Sequence, residues 1–114
     1  MYVIGSDMLS SDLKKIDEQN NTAYTGLKLD YRYDDPKDPN SFYTRSDHYN
    51  FAKHDIPVAF FFNGVHADYH KETDEVSRID FPLMETRARL VFCIAWDVAN
   101  RDERLVVDKK KSSN

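Results

Sequence analysis

The sequence predicts an α/β fold in which a central parallel strand is covered by helices. Three stretches carry that prediction. Residues 56 to 62, "IPVAFFF", are apolar on both faces, as a central strand covered by helices must be. Residues 27 to 33, "LKLDYRY", alternate Leu27, Leu29, Tyr31 and Tyr33 against Lys28, Asp30 and Arg32, the period of a half-buried strand. After Asp80, apolar residues recur at helical spacing for five turns.

The chain opens on "YVI", a strand end closed by Gly5. Ser10 or Ser11 then caps a helix with Asp12 favourable in its first turn, and Leu13, Ile16, Asn20 and Ala23 or Tyr24 give it a narrow apolar stripe. Two prolines among acids in "DDPKDPNS" interrupt the chain after the 27–33 strand. Ser46 can cap a short helix, "DHYNFAKH", and a turn at Asp55 leads into the central strand, which Asn63-Gly64 ends. Asp80 caps the long helix, with Pro82 in its first turn. On that helix Met84, Ala88, Val91, Ala95 and Val98 form a core stripe, widened by Leu83, Leu90 and Ile94. Arg104 to Val107 is a candidate final strand, and residues 109–114 a flexible basic tail behind one domain at 1–108.

Composition narrows the function. With 114 residues, 40% hydrophobic and 32% charged, the chain fits one globular domain with one modest core. A net charge of −4 excludes nucleic acid as a partner, because that role needs clustered cations. The longest apolar run is too short to span a membrane, and "MYVIGSDMLS" lacks the basic and apolar regions of a signal peptide. The single Cys93 lies in an apolar helical pattern, which reads as a buried inert thiol.

Chemistry concentrates in "HADYHKETDE", residues 66–75. His66 and His70 stand four apart, yet Ala67 where HExxH proteases carry Glu, and Gly64 just before, argue against a helical zinc motif. The pair reads either as metal ligands or as solvated loop histidines. Asp68, Tyr69, Glu72, Thr73 and Asp74 can orient an imidazole, and a tyrosine hydroxyl can stabilise an oxyanion. "RSDH" adds Arg45, Asp47 and His48 ahead of the central strand, with helix capping and a surface ion pair as the plain alternative.

Taken together, "FYTRSDHYNFAKHDIPVAFFFNGVHADYHKETDEVSRIDF" and the helix containing "RLVFCIAWDVAN" resemble the C-terminal half of the co-catalytic di-zinc aminopeptidases. Bacterial leucyl aminopeptidases, glutaminyl cyclases and glutamate carboxypeptidase are the relatives meant. The resemblance implies a partial three-layer α/β/α sandwich with a mostly parallel mixed sheet, the C-terminal portion of a zinc-exopeptidase fold. It also implies two zinc ions and hydrolysis of N-terminal residues from peptides by a metal-activated water. Carried over by position, His70 matches the last zinc-ligand histidine, Tyr69 the hydroxyl that assists the tetrahedral intermediate, and Asp74 the acid that follows. Arg45, Asp47 and His48 take supporting or substrate-side roles, and His66 none. Lys71 stands where many relatives have Thr, and Asp55 where many have Gly.

The family's His-x-Asp segment, its Glu-Glu pair and its Asp-Met-Ile-Gly strand all precede the region that is similar, and nothing here supplies them. "SDM" at 6–8 mimics the last only superficially. One imidazole cannot hold a catalytic zinc. The expectation is therefore a chain inactive on its own and binding zinc unstably, which associates with a missing N-terminal half or with itself through an exposed apolar edge. Two alternatives stand: an α/β interaction module that has lost the metal site, and a shortened enzyme recruiting Asp34, Asp35 or Asp38 to His70 across an oligomer. Many bacterial relatives are exported, so a periplasmic or secreted parent is expected.

Overall fold

The computed structural model describes residues 1–109 and is an α/β arrangement of two short strands and three helices. Strand β1 (Tyr2–Ile4) pairs antiparallel with β2 (Phe60–Phe62) in the register Tyr2–Phe62, Val3–Phe61, Ile4–Phe60. Helix α1 spans Ser11–Asn20, α2 Tyr49–Ala52 and α3 Phe81–Ala99.

Helices α1 and α3 lie on one face of this ribbon. Ile16 of α1 and Leu90 and Ile94 of α3 form the buried core, with Phe61, Leu27, Leu29 and Val98 packed against it. Because strand side chains alternate, Phe60 and Phe62 point to the opposite face. There they meet rings from the loops: Phe42 lies 4.9 Å from Phe62, and His48 stacks 4.6 Å from Phe60.

Several elements form as expected. Ser10 accepts the Asp12 N–H at 3.2 Å and starts α1. Asp80 accepts the Leu83 N–H at 3.0 Å and starts α3, with Pro82 in the first turn. The Asp55 turn is real, with φ of 63°.

The sheet is where expectation and structure part. The described residues form no parallel sheet and no three-layer sandwich; β2 is three residues long, antiparallel to β1, and bordered by no second strand. Gly5, at φ of 94°, turns β1 away directly after Ile4, which ends the ladder at Phe60. Residues 27–33 contribute a single parallel bridge, Tyr2 to Asp30, rather than a strand. The cause is local: the Asp30 carboxylate accepts the Arg32 N–H at 3.0 Å and Arg32 Nε at 2.9 Å, turning the chain as soon as the bridge is made.

Other corrections follow the same logic. Ser46 caps nothing with its hydroxyl; its carbonyl accepts the Tyr49 N–H, and the helix shrinks to one turn at 49–52. Residues 104–107 form no strand. Instead this segment closes the start of α1, where Asp108 accepts the Ser11 N–H at 2.8 Å and the Ser11 hydroxyl, and Asp12 accepts the Val106 N–H at 3.1 Å. Lys109 is tied down by its N–H to Leu9 and its ammonium to Asp7, and the remainder of the expected tail lies outside the described residues. Cys93 is half-buried beside an open groove, not sealed in the core. The stripe expected on α3 is displaced as well: Leu90 and Ile94 are buried, whereas Met84, Ala88, Val91 and Ala95 are exposed.

Candidate functional site

The site is built on the aromatic face of β2. Gly5, with φ of 94°, lets the turn after β1 pass the Val58 carbonyl and the Tyr43 ring, each 3.0 Å from where a Cβ would stand. That close approach seats the loop carrying "RSDH" against the strand. His48 Nε2 lies 2.7 Å from the Tyr43 carbonyl, which can only accept, so Nε2 is the donor of this bond. Nδ1 is buried without a partner among the described residues. Arg45 braces the preceding turn through the Asn40 carbonyl at 3.2 Å, its guanidinium 5.1 Å from the centre of the Phe42 ring. Asp47 is exposed, and its carbonyl accepts the Asn50 N–H.

Beyond β2, Asn63 receives the Arg87 guanidinium at 2.7 Å, which pins the outgoing loop to α3. The segment 66–75 then coils in consecutive turns: Tyr69 N–H to the His66 carbonyl, Lys71 to Asp68, Asp74 to Lys71. His66 Nδ1 accepts the Asp68 N–H at 3.2 Å, and Asp68 accepts the Thr73 hydroxyl at 2.8 Å. His70 is held in the left-handed region at φ of 56°, a conformation uncommon away from glycine, and its ring is exposed. Tyr69 stacks on it at 4.3 Å and meets Phe62 edge-on at 6.3 Å.

These contacts bring the two sequence motifs together in a definite way. His48, Phe60, Phe62, Tyr69 and His70 form one continuous row of rings along a single face of β2. Asp74 stands apart from the row: with His66 and Asp68 it lines a cavity of about 690 Å³ between the 66–80 segment, Phe61 and α3. The described residues contain no group of three histidine, cysteine or acidic side chains placed to hold a metal ion. Taken by themselves, they do not fit a zinc centre.

A profile of peptidase family M28 matches residues 3–95, and so takes in the row, all of the cavity's lining but Met1, and most of α3. The chain belongs to peptidase family M28. No curated protein and no solved structure gives a match beside it. M28 peptidases are generally zinc-dependent, so the membership supports a hydrolytic, metallopeptidase-related chain. It contrasts with the donor set, where His70 is the one ligand that the resemblance supplies.

The acids suggested as substitutes are engaged elsewhere. Asp34 accepts the N–H groups of Gly5 at 2.8 Å and Asp7 at 3.1 Å; Asp35 accepts Lys37 N–H, and Asp38 accepts those of Asn40 and Phe42. Reading the sequence missed the importance of Asp34 and of Asp17, which is fully buried. A signal existed for Asp17, since it neighbours Ile16 and stands four after Leu13 on the same helical face.

Proposed function

We propose that this chain is the C-terminal portion of a zinc-dependent aminopeptidase, which removes N-terminal residues from peptides and in which the metal site is completed by residues that this chain does not carry. The observation that carries the reading is the ring row, in a chain of this family: it places the "SDH" and "DYH" histidines on one strand face. Within it His70 is the zinc ligand. When bound, zinc would supply Lewis acidity and a nucleophilic water. The roles of this chain's own residues are positional. The stacked Tyr69 ring fixes the direction of the imidazole and directs a hydroxyl donor toward the substrate's developing oxyanion. His48, whose Nε2 donates to the Tyr43 carbonyl, supports the strand on which the site rests.

The test compares the chain alone with the chain expressed together with the upstream residues of its coding frame. Elemental analysis gives zinc per chain, and release of N-terminal residues from peptides gives activity. The longer protein is expected to hold about two zinc ions and to hydrolyse peptides. His70→Ala abolishes both, whereas Tyr69→Phe keeps the zinc and lowers kcat by about 100-fold. The chain alone is expected to hold well under one zinc. Two zinc ions on the isolated chain, lost with His70→Ala, would overturn the view of an incomplete site. An inactive, zinc-free longer protein would favour an interaction module.

A further inference from the structure

Asp17 lies on the inner side of α1, fully buried, and neither carboxylate oxygen has a hydrogen-bond partner among the described residues. Isolated burial of a charged carboxylate is costly, so a group in this setting keeps its proton. The groups facing it come from each neighbouring segment: Ser6 from the turn after β1, Asp34 and Tyr31 from the loop after Asp30, and Glu18 from α1. The Ser6 hydroxyl donates to Asp34 at 3.2 Å, and the buried Tyr31 hydroxyl has no partner among the described residues. The nearby cations are engaged by Asp7: Lys14 at 3.5 Å, also 4.6 Å from the centre of the Tyr31 ring, and Lys109.

We propose that Asp17 is a proton-operated latch: protonated, it shares one buried cluster with Ser6, Asp34 and Tyr31 and holds α1 against the Gly5–Asp7 turn; deprotonated, it confronts Asp34 and opens that seam. The seam supports the candidate site, because Tyr33, next to Asp34, packs 4.8 Å from Tyr2 and 4.9 Å from Phe42.

Burial pushes the Asp17 carboxyl up to about 7, with the Asp34 and Glu18 charges adding to it and the nearby Ser6 hydroxyl opposing them. Burial also raises Asp34, opposed by the donors from Gly5, Asp7 and Ser6. Between the ordinary value of 3.8 and about 7, the folded chain therefore holds a proton that the unfolded chain releases. Stability falls as pH rises through that window. The folding equilibrium weakens on the order of 100-fold between about pH 5 and about pH 8.5. Burial lowers the Met1 amine, which acts with the opposite sign and is common to all variants.

The experiment is urea unfolding of the full chain across that range, with amide exchange read at Gly5 and Asp7. The wild type is expected to lose stability and Gly5 and Asp7 protection as pH rises, while Asp17→Asn, neutral at every pH, flattens both. An identical pH slope in Asp17→Asn, or unchanged protection of the two amides, would sink the latch. Should Asp17→Asn not fold, a carbon-detected titration of the wild-type Asp17 carboxyl decides: a midpoint near neutrality supports the proposal, and one below about pH 5 overturns it.

Discussion

Asp34 shows how much one side chain holds in a loop with few regular hydrogen bonds. Its two oxygens accept from Gly5 N–H, Asp7 N–H and the Ser6 hydroxyl, and so fold the turn that leads from β1 into α1. Removing a half-buried acceptor strands its donors, which costs more than the net value of the bonds themselves. Asp34→Ala is accordingly expected to destabilise the chain by about 3 kcal/mol in urea unfolding, whereas Asp35→Ala, whose exposed carboxylate accepts only Lys37 N–H, changes it by less than about 0.5 kcal/mol. Equal losses would mean that the loop is held by something other than this carboxylate. The contrast marks the limit of sequence reading at this scale. Asp34 and Asp35 are the same residue type in the same polar run; only the fold, by bringing the Gly5 turn across Asp34, separates the structural acid from the solvated one.

At the scale of elements, legibility followed how local the determinants are. The starts of α1 and α3 were readable because a cap is decided within three residues: of Ser10 and Ser11 it is Ser10 that accepts an N–H of α1, and Asp80 accepts one of α3. The Asp55 turn was readable for the same reason. Strands were not, because a strand needs a neighbour: "LKLDYRY" has the right period, yet it pairs at Asp30 only, and the Asp30–Arg32 contact turns it away. The same holds for the site. The "DYH" turn and its stacked rings follow from neighbours in sequence, while the row through Phe60 and Phe62 depends on loops packed across the strand. On α3 the apolar residues encircle the helix, so periodicity could not choose which of them meet α1. Packing chose Leu90 and Ile94. Leu90→Ala is expected to cost about 3 kcal/mol and Trp96→Ala, 64% exposed, under about 1 kcal/mol, both read from unfolding midpoints. A larger loss for Trp96→Ala would mean that its ring is packed in solution, against another part of this chain or a second copy.

For the molecule as a whole, the balance of surface points outward. The accessible area is 8190 Å², where a compact monomer of 13.4 kDa exposes about 6500 Å². Part of the excess is apolar: Met84 is 53% and Phe92 63% exposed on α3. The sheet adds an edge. Val3 N–H bonds the Asp30 carbonyl, on the side away from β2, so its antiparallel partner Phe61 also turns its N–H and carbonyl away from the ladder, toward the unpaired side. An apolar edge whose backbone groups have no partner among the described residues, flanked by the Leu83, Met84 and Val91 side of α3, is a surface on which another chain can continue both sheet and helix layer. In the function proposed above, this is the surface that the residues completing the metal site would cover. Without that cover, self-association is expected: sedimentation velocity should show a concentration-dependent rise in mass, and Met84→Glu, placing a charge on the exposed helix side, should weaken association by about 10-fold without changing the unfolding midpoint at concentrations where the chain is monomeric. A wild-type chain that stays monomeric at high concentration would mean that the edge is protected in solution and that the excess surface is no docking face.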